Sequence, residues 1–182
     1  MAPILVITGP SGVGKGTLIA GLLERVPGLQ LAVSATTRIP RRGEANGVDY
    51  HFLSPKDFES RVAGGEFVEH ASYAGNRYGT LKSELARPAR AIVLEIDVQG
   101  ARQVRETLPD AVQVFIEPPS FADLEARLKQ RASDRPVEIA RRLEAARQEL
   151  EAAPEFDHRV VNDDLQRALQ ELEDLVATMY GP

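Results

Sequence analysis

The segment Gly9-Pro10-Ser11-Gly12-Val13-Gly14-Lys15-Gly16-Thr17 constrains this chain more than any other. It follows a run of branched aliphatics, Ile4 to Thr8, and opens a stretch with Leu18, Leu22 and Leu23 at helical spacing, so the glycines stand at a strand-to-helix turn. In that setting successive backbone N–H groups can turn inward as an anion cradle, the helix N-terminus adds its positive dipole end, and Lys15 supplies a full charge. The phosphates of ATP are the expected guest of Gly9 through Thr17, against the plainer reading of a glycine turn without ligand. The residue after Lys15 is Gly16, where such loops carry a Ser or Thr whose hydroxyl touches magnesium. Thr17 follows, but one residue is about 100° around a helix, so it cannot replace that hydroxyl in place. Mg²⁺ is therefore expected to be held chiefly by nucleotide oxygens and water, with Thr17 as one protein candidate.

Further apolar runs at Leu31 to Val33, Ala91 to Ile96, Val112 to Ile116 and His158 to Val161 read as strands buried on both faces. Helical periodicity lies between and after them, as in Leu165, Leu169, Leu172 and Val176. Alternation of this kind predicts a three-layer α/β fold with a parallel central sheet. The stretch from Thr36 to Arg87 breaks the rhythm with short strand-like pieces (Asp49 to Leu53, Phe67 to Tyr73, Arg77 to Tyr78), a helix starting near Ser54-Pro55, and a hairpin tip at Gly75-Asn76. It reads as an inserted small subdomain. A second interruption, Gln130 to Val137, ends at Pro136, suited to a helix's first turn, and is a candidate lid.

With 182 residues, one folded unit is expected. The absence of cysteine excludes disulfides and thiolate chemistry. A net charge of -5 argues against general nucleic-acid binding, which rests on a basic surface. No apolar run is long enough to span a bilayer, and Met1 to Thr8 lacks a basic leader, so neither a membrane nor an exported location is expected; the cytoplasm is.

Within this acidic chain, Arg38, Arg41 and Arg42 cluster around a rigid Ile39-Pro40 step. Arg38 and Arg41 could fork onto a second phosphate with Tyr50 adding a hydroxyl, or the loop could simply be solvated. Glu95 and Asp97, two apart in an apolar strand, are expected on one sheet face at its carboxyl end, where open parallel sheets bind ligands. Asp97 is the preferred candidate for magnesium-water or substrate contact, while Glu95 is equally readable as part of a structural ion pair. Asn162, at a strand end before a helix, is open to a ligand contact or a capping role. His51, His70 and His158 show no metal spacing.

The pattern Ser34-Ala35-Thr36-Thr37-Arg38-Ile39-Pro40-Arg41-Arg42-Gly43-Glu44, with Asp49-Tyr50, Glu66-Phe67-Val68-Glu69, Gly75 to Thr80, Ile96 to Gly100 and Val161 to Asp164, resembles the guanylate kinase family over nearly the whole chain. The Gly-Lys-Gly-Thr form of the phosphate loop is similar to that of adenylate kinases and their relatives. The resemblance implies an enzyme that transfers a phosphoryl group from ATP to GMP, and to dGMP, with Mg²⁺. It implies a core of residues 1–35, 88–128 and 143–182, a GMP-binding insertion at 36–87 and a lid at 129–142. By the same resemblance, Ser34, Arg38, Arg41, Tyr50 and Tyr78 would surround the GMP phosphate, and Glu69, Thr80 and Asp97 would lie around the guanine. Arg131 and Arg142 would approach the ATP phosphates, with Arg127 and Arg135 as weaker candidates, and Asn162 would touch adenine. Lys15, Arg38, Arg131 and Arg142 make up the implied catalytic set.

Overall fold

A computed structural model describes residues 2–73, 75–130 and 136–179, excepting the side chains of Pro136 and Glu138. β1 (Ile4–Thr8) is buried along its whole length, because its two flanks are strands and both faces are covered. On one side it pairs in parallel with β7 (Ala91–Glu95), on the other with β8 (Val112–Glu117). β2 (Leu29–Leu31) and β9 (His158–Val161) complete a five-stranded, all-parallel sheet in the order β2-β7-β1-β8-β9. The expected strand at Leu31 to Val33 is thus displaced: β2 ends at Leu31, and the chain leaves this sheet to enter another at Ser34.

Two apolar layers flank the sheet. Leu5, Ile7, Val93, Val114 and Ile116 face α1 (Lys15–Arg25), α5 (Phe121–Gln130) and α7 (Leu165–Met179). Val6, Ile92, Leu94 and Phe115 face α4 (Val98–Thr107) and the end of α6 (Pro136–Glu151). Strict alternation along β1 and β7 is what a doubly covered strand requires.

The insertion builds its own sheet, β4-β3-β6-β5, from β3 (Ser34–Thr36), β4 (His51–Phe52), β5 (Phe67–Tyr73) and β6 (Asn76–Leu81). β5 and β6 form the expected antiparallel hairpin, closing at the Tyr73–Asn76 pair. α2 (Pro55–Ala63) starts as its sequence signals, with the Ser54 side chain accepting from the Asp57 amide and Pro55 in the first turn. A short α3 (Lys82–Leu85) leads back to β7. Ala35, Phe58, Phe67 and Leu81 form a small separate core, with Phe58 and Phe67 stacked at 4.5 Å. Glu84 ties the two sheets together: it accepts from the Val33 amide at 2.9 Å, from Arg87 at 2.8 Å, and meets His51 Nε2 at 2.9 Å. Burial opposes its charge, but these three partners together hold its carboxyl below the ordinary carboxylate range. Among the described residues no helix is long and apolar enough to cross a membrane.

Because Phe58 is fully buried in a core of few side chains, Phe58→Ala is expected to cost about 3–5 kcal/mol of stability, measured by chemical denaturation.

Candidate active site

β1 ends at Thr8, whose hydroxyl donates to the Ile96 carbonyl at 2.6 Å. At the next residue the backbone turns so close to β8 that a Cβ on Gly9 would lie 2.4 Å from the Ile116 carbonyl oxygen, at φ +143. The loop then wraps to α1, and Lys15 folds back over it, donating to the carbonyls of Gly9 at 2.5 Å and Pro10 at 3.2 Å. Val13 sends its side chain into the core and leaves its carbonyl to two donors: Asn162 Nδ2 at 2.9 Å and Arg127 Nη1 at 3.2 Å.

Above this loop lies a cavity of about 670 Å³. Its floor is Gly9, Ser11, Gly12 and Gly14 to Thr17, and its opposite wall is the cavity face of the insertion. That face follows from register. Ser34 pairs with Thr80 and Thr80 with Glu69, so three polar residues stand in one row across β3, β6 and β5. Two residues along, Tyr78 and Ala71 share that face. A bulge between Phe67 and Glu69 lets Phe67 join the small core while Glu69 turns to the cavity.

Glu69 is nearly fully buried, and burial pushes its carboxyl up to about 7, against a smaller opposing influence from Thr80. Its Oε1 and the Thr80 hydroxyl oxygen are both buried without a hydrogen-bond partner among the described residues. Gly100 permits this arrangement, since a Cβ there would meet Glu69 Oε2 at 2.5 Å. Asp97 also lines the cavity but is not in the strand, as the two-apart spacing suggested. β7 stops at Glu95, and Asp97 is the N-cap of α4, with Oδ1 accepting from the Gly100 amide at 2.8 Å. A cap satisfies the free amides of the helix start, and this demand ends the strand.

The arginines are placed less uniformly. Arg38 lies over the Tyr50 ring at 5.2 Å and pairs with Glu44 at 2.8 Å, while the second oxygen of Glu44 accepts from the Arg41 amide at 2.6 Å. Tyr50 and Tyr78 line the cavity and pack edge to face at 6.1 Å. Arg41 itself is exposed. Arg127 is committed to backbone, donating to both the Val13 and Asn162 carbonyls, so it braces the loop. Asn162 is buried and caps nothing, because Asp164 accepts from the Arg167 amide at 2.9 Å at the head of α7. It borders a second cavity of about 420 Å³ with Gly12, Gly14, Thr17 and Arg127. Arg142, on α6, is near enough to Tyr73 to influence its phenol. Arg131 and Arg135 lie outside the described residues.

One cavity residue had no sequence signal. Glu149, near the end of α6, reaches the phosphate loop, where the Ser11 amide and Lys15 favour its charged form. Burial outweighs them and pushes its carboxyl up to about 7. In sequence it is one more Glu in a helix rich in Glu and Arg.

Comparison with known proteins agrees with this geometry. The guanylate kinase family model matches residues 1–179. The chain is 50% identical over 173 residues to the guanylate kinase of Nostoc sp., covering 93% of this chain and 87% of that one. It is 51% identical over 176 residues to that of Thermosynechococcus vestitus, covering 95% and 92%. The crystal structure of guanylate kinase from Anaplasma phagocytophilum superposes with a TM-score of 0.78 at 29% identity, covering all (100%) of this chain and 87% of that one. With a glycine-rich strand-to-helix loop, two tyrosines and a buried carboxylate around one cavity, and with a family match and identity of this order along its length, the chain belongs to the guanylate kinase family.

Proposed function

We propose that the chain catalyses ATP + GMP → ADP + GDP by direct in-line transfer in the cavity between the phosphate loop and the insertion. The observation that carries the acceptor's identity is Glu69, a buried carboxylate with an unpartnered oxygen beside an unpartnered Thr80 hydroxyl, in the same cavity as the loop. Guanine presents two adjacent donors, N1–H and the N2 amino group, and an ionised carboxylate accepts from both. Adenine would turn an acceptor toward it and leave buried groups unpaired. Because N1–H and the amino group are both donors, guanine binding favours the charged form of Glu69 that burial alone disfavours.

The remaining roles are those the family resemblance implies. Gly9 through Thr17 hold the ATP phosphates on backbone N–H groups, and Lys15 exchanges the Gly9 and Pro10 carbonyls for phosphate oxygens. Ser34, Arg38, Arg41, Tyr50 and Tyr78 hold the GMP phosphate, with Arg38 already oriented by Glu44 and the Tyr50 ring. Arg142, and Arg131 from the lid, bring positive charge to the travelling phosphoryl and help exclude water. Asn162 fixes the loop through Val13 and borders the side cavity on which adenine would rest. The working division of the chain is a core, an acceptor-binding insertion at 36–87 and a lid at 129–142.

Mg²⁺ would arrive on ATP with its own water, with Thr17 and Asp97 as protein candidates. Bound there, Mg²⁺ neutralises phosphate charge. dGMP is expected to serve as acceptor as well.

A coupled ADP-release assay with GMP, AMP and a sugar phosphate as alternative acceptors tests the assignment; turnover of another acceptor but not of GMP would overturn it. Glu69→Ala is expected to raise the KM for GMP at least tenfold more than the KM for ATP; equal effects would remove base recognition from Glu69. For the wild type, the KM for GMP should climb as pH falls below about 7, by up to about tenfold per unit, and this dependence should vanish in Glu69→Gln. Stability follows the opposite sense. The folded state keeps the Glu69 proton up to about 7 whereas the unfolded chain loses it near 4.5, so folding is penalised as pH rises across that window. Glu69→Gln should therefore exceed the wild type in stability by roughly 3 kcal/mol above pH 7 and match it below 4.5, as read by denaturation at each pH.

A further inference from the structure

Glu149 is the buried acid that the roles above leave unused. It stands near the C-terminal end of α6 and lines the main cavity against the phosphate loop. Its Oε2 is buried and has no hydrogen-bond partner among the described residues. The Ser11 amide and Lys15 lie on its loop side, and Asp97 faces it from the head of α4, close enough to oppose its charge. Tyr73, from the end of β5, is a further neighbour, near both Ser11 and Glu149. Arg142 lies about two turns earlier on the same helix face.

A buried acceptor without a donor is costly, so a donor that arrives with the ligand would relieve it. At this end of the cavity the nucleotide offers none. Phosphate oxygens at neutral pH only accept, and they carry the same sign of charge as a carboxylate. The donors that come with an ATP phosphate tail are water molecules on its cation. The loop itself makes those waters more important. Gly16 stands where a hydroxyl would otherwise bind the ion directly, and among the described residues beyond its chain neighbours a Cβ there would meet nothing within 4 Å. An ion held mostly through its water shell needs acceptors around that shell, and losing an outer-shell partner typically costs about 10–100-fold in metal affinity.

We propose that Glu149 is a positioning residue for the cation–ATP complex, its buried Oε2 accepting a hydrogen bond from water carried by the ion. This rests on the reading of the loop as the ATP site. It gives α6 two tasks on one face: Arg142 toward the phosphoryl oxygens and Glu149 toward the hydrated ion. It also makes Glu149 selective between two forms of the same nucleotide, because the carboxylate repels bare ATP and attracts the cation-bound form.

The test is equilibrium binding of ATP to the full chain without GMP, by calorimetry, once with Mg²⁺ and once with EDTA. In the wild type ATP is expected to bind more tightly with Mg²⁺. In Glu149→Gln that advantage should shrink about tenfold, with affinity for metal-free ATP unchanged or improved because one like charge is gone. Glu149→Asp, which keeps the charge, should retain part of the advantage; it also serves if the Gln variant fails to fold. A Glu149→Gln protein that loses affinity equally in both conditions would make Glu149 a mere anchor of α6 to the Ser11 amide and overturn the proposal. An unchanged Mg²⁺ advantage would overturn it too. If the wild type itself shows no Mg²⁺ advantage while binding ATP, the cation reading fails together with the inference. If it binds no ATP at all, the assignment of the loop is what fails.

Discussion

The backbone turn at Gly9 is the contact on which the rest of the site depends. β1 is buried between β7 and β8, and where it ends the chain passes so close to the Ile116 carbonyl that a side chain cannot be accommodated. The loop beyond is held from three further directions: Thr8 bonds the chain leaving β7, Asn162 at the end of β9 bonds Val13, and Arg127 from α5 bonds both Val13 and Asn162. Four parallel strand ends and one helix therefore fix the position of a few amides. Such rigidity suits phosphoryl transfer, in which positioning and preorganised charge supply most of the acceleration and each ångström of slack is costly.

The acceptor wall is organised on a different principle. The insertion has a core of four buried side chains, Ala35, Phe58, Phe67 and Leu81, and a polar face opposite. Alternation along β3 and β6 would be enough for Ser34, Tyr78 and Thr80, but Glu69 joins them only because a bulge shifts the register after Phe67. The same bulge gives the aromatic to the core and the carboxylate to the cavity. Glu84 then binds this sheet to the main one through Val33, His51 and Arg87, which explains an acid buried far from the phosphate loop.

Two carboxylates in the cavity, Glu69 and Glu149, are pushed toward neutrality by burial, and each keeps one buried oxygen without a donor. A fold selected for stability alone would satisfy such atoms. On the proposed reading, both are costs carried for ligands: a purine edge rich in donors at one end, and a hydrated cation at the other. Arg38 shows the converse economy. Glu44 and the Tyr50 ring hold its guanidinium in place, so less side-chain freedom would be lost on binding a phosphate, as proposed for this residue.

Much of this was legible in the order of residues. The phosphate loop, the alternation of buried strands and helices, the Ser54-Pro55 helix start and the hairpin at Gly75 all rest on local rules: which residues tolerate a turn, cap a helix or fill a covered strand. The motifs from Ser34 to Thr80 named the acceptor for the same reason, since they are contiguous stretches. Where the outcome depended on partners distant in the chain, local reading stopped short. β2 ended earlier than its apolar run because Ser34 had a better place against Thr80. Asp97 left its strand because α4 needed a cap, and Asn162 turned from the helix behind it to the Val13 carbonyl. Glu149 carries no sequence mark at all. The sequence by itself determined a parallel α/β fold of this family and the residues expected to line its site; only the tertiary structure decided which carboxylates are buried there, because desolvation is set by what packs around a group and not by its neighbours in the chain.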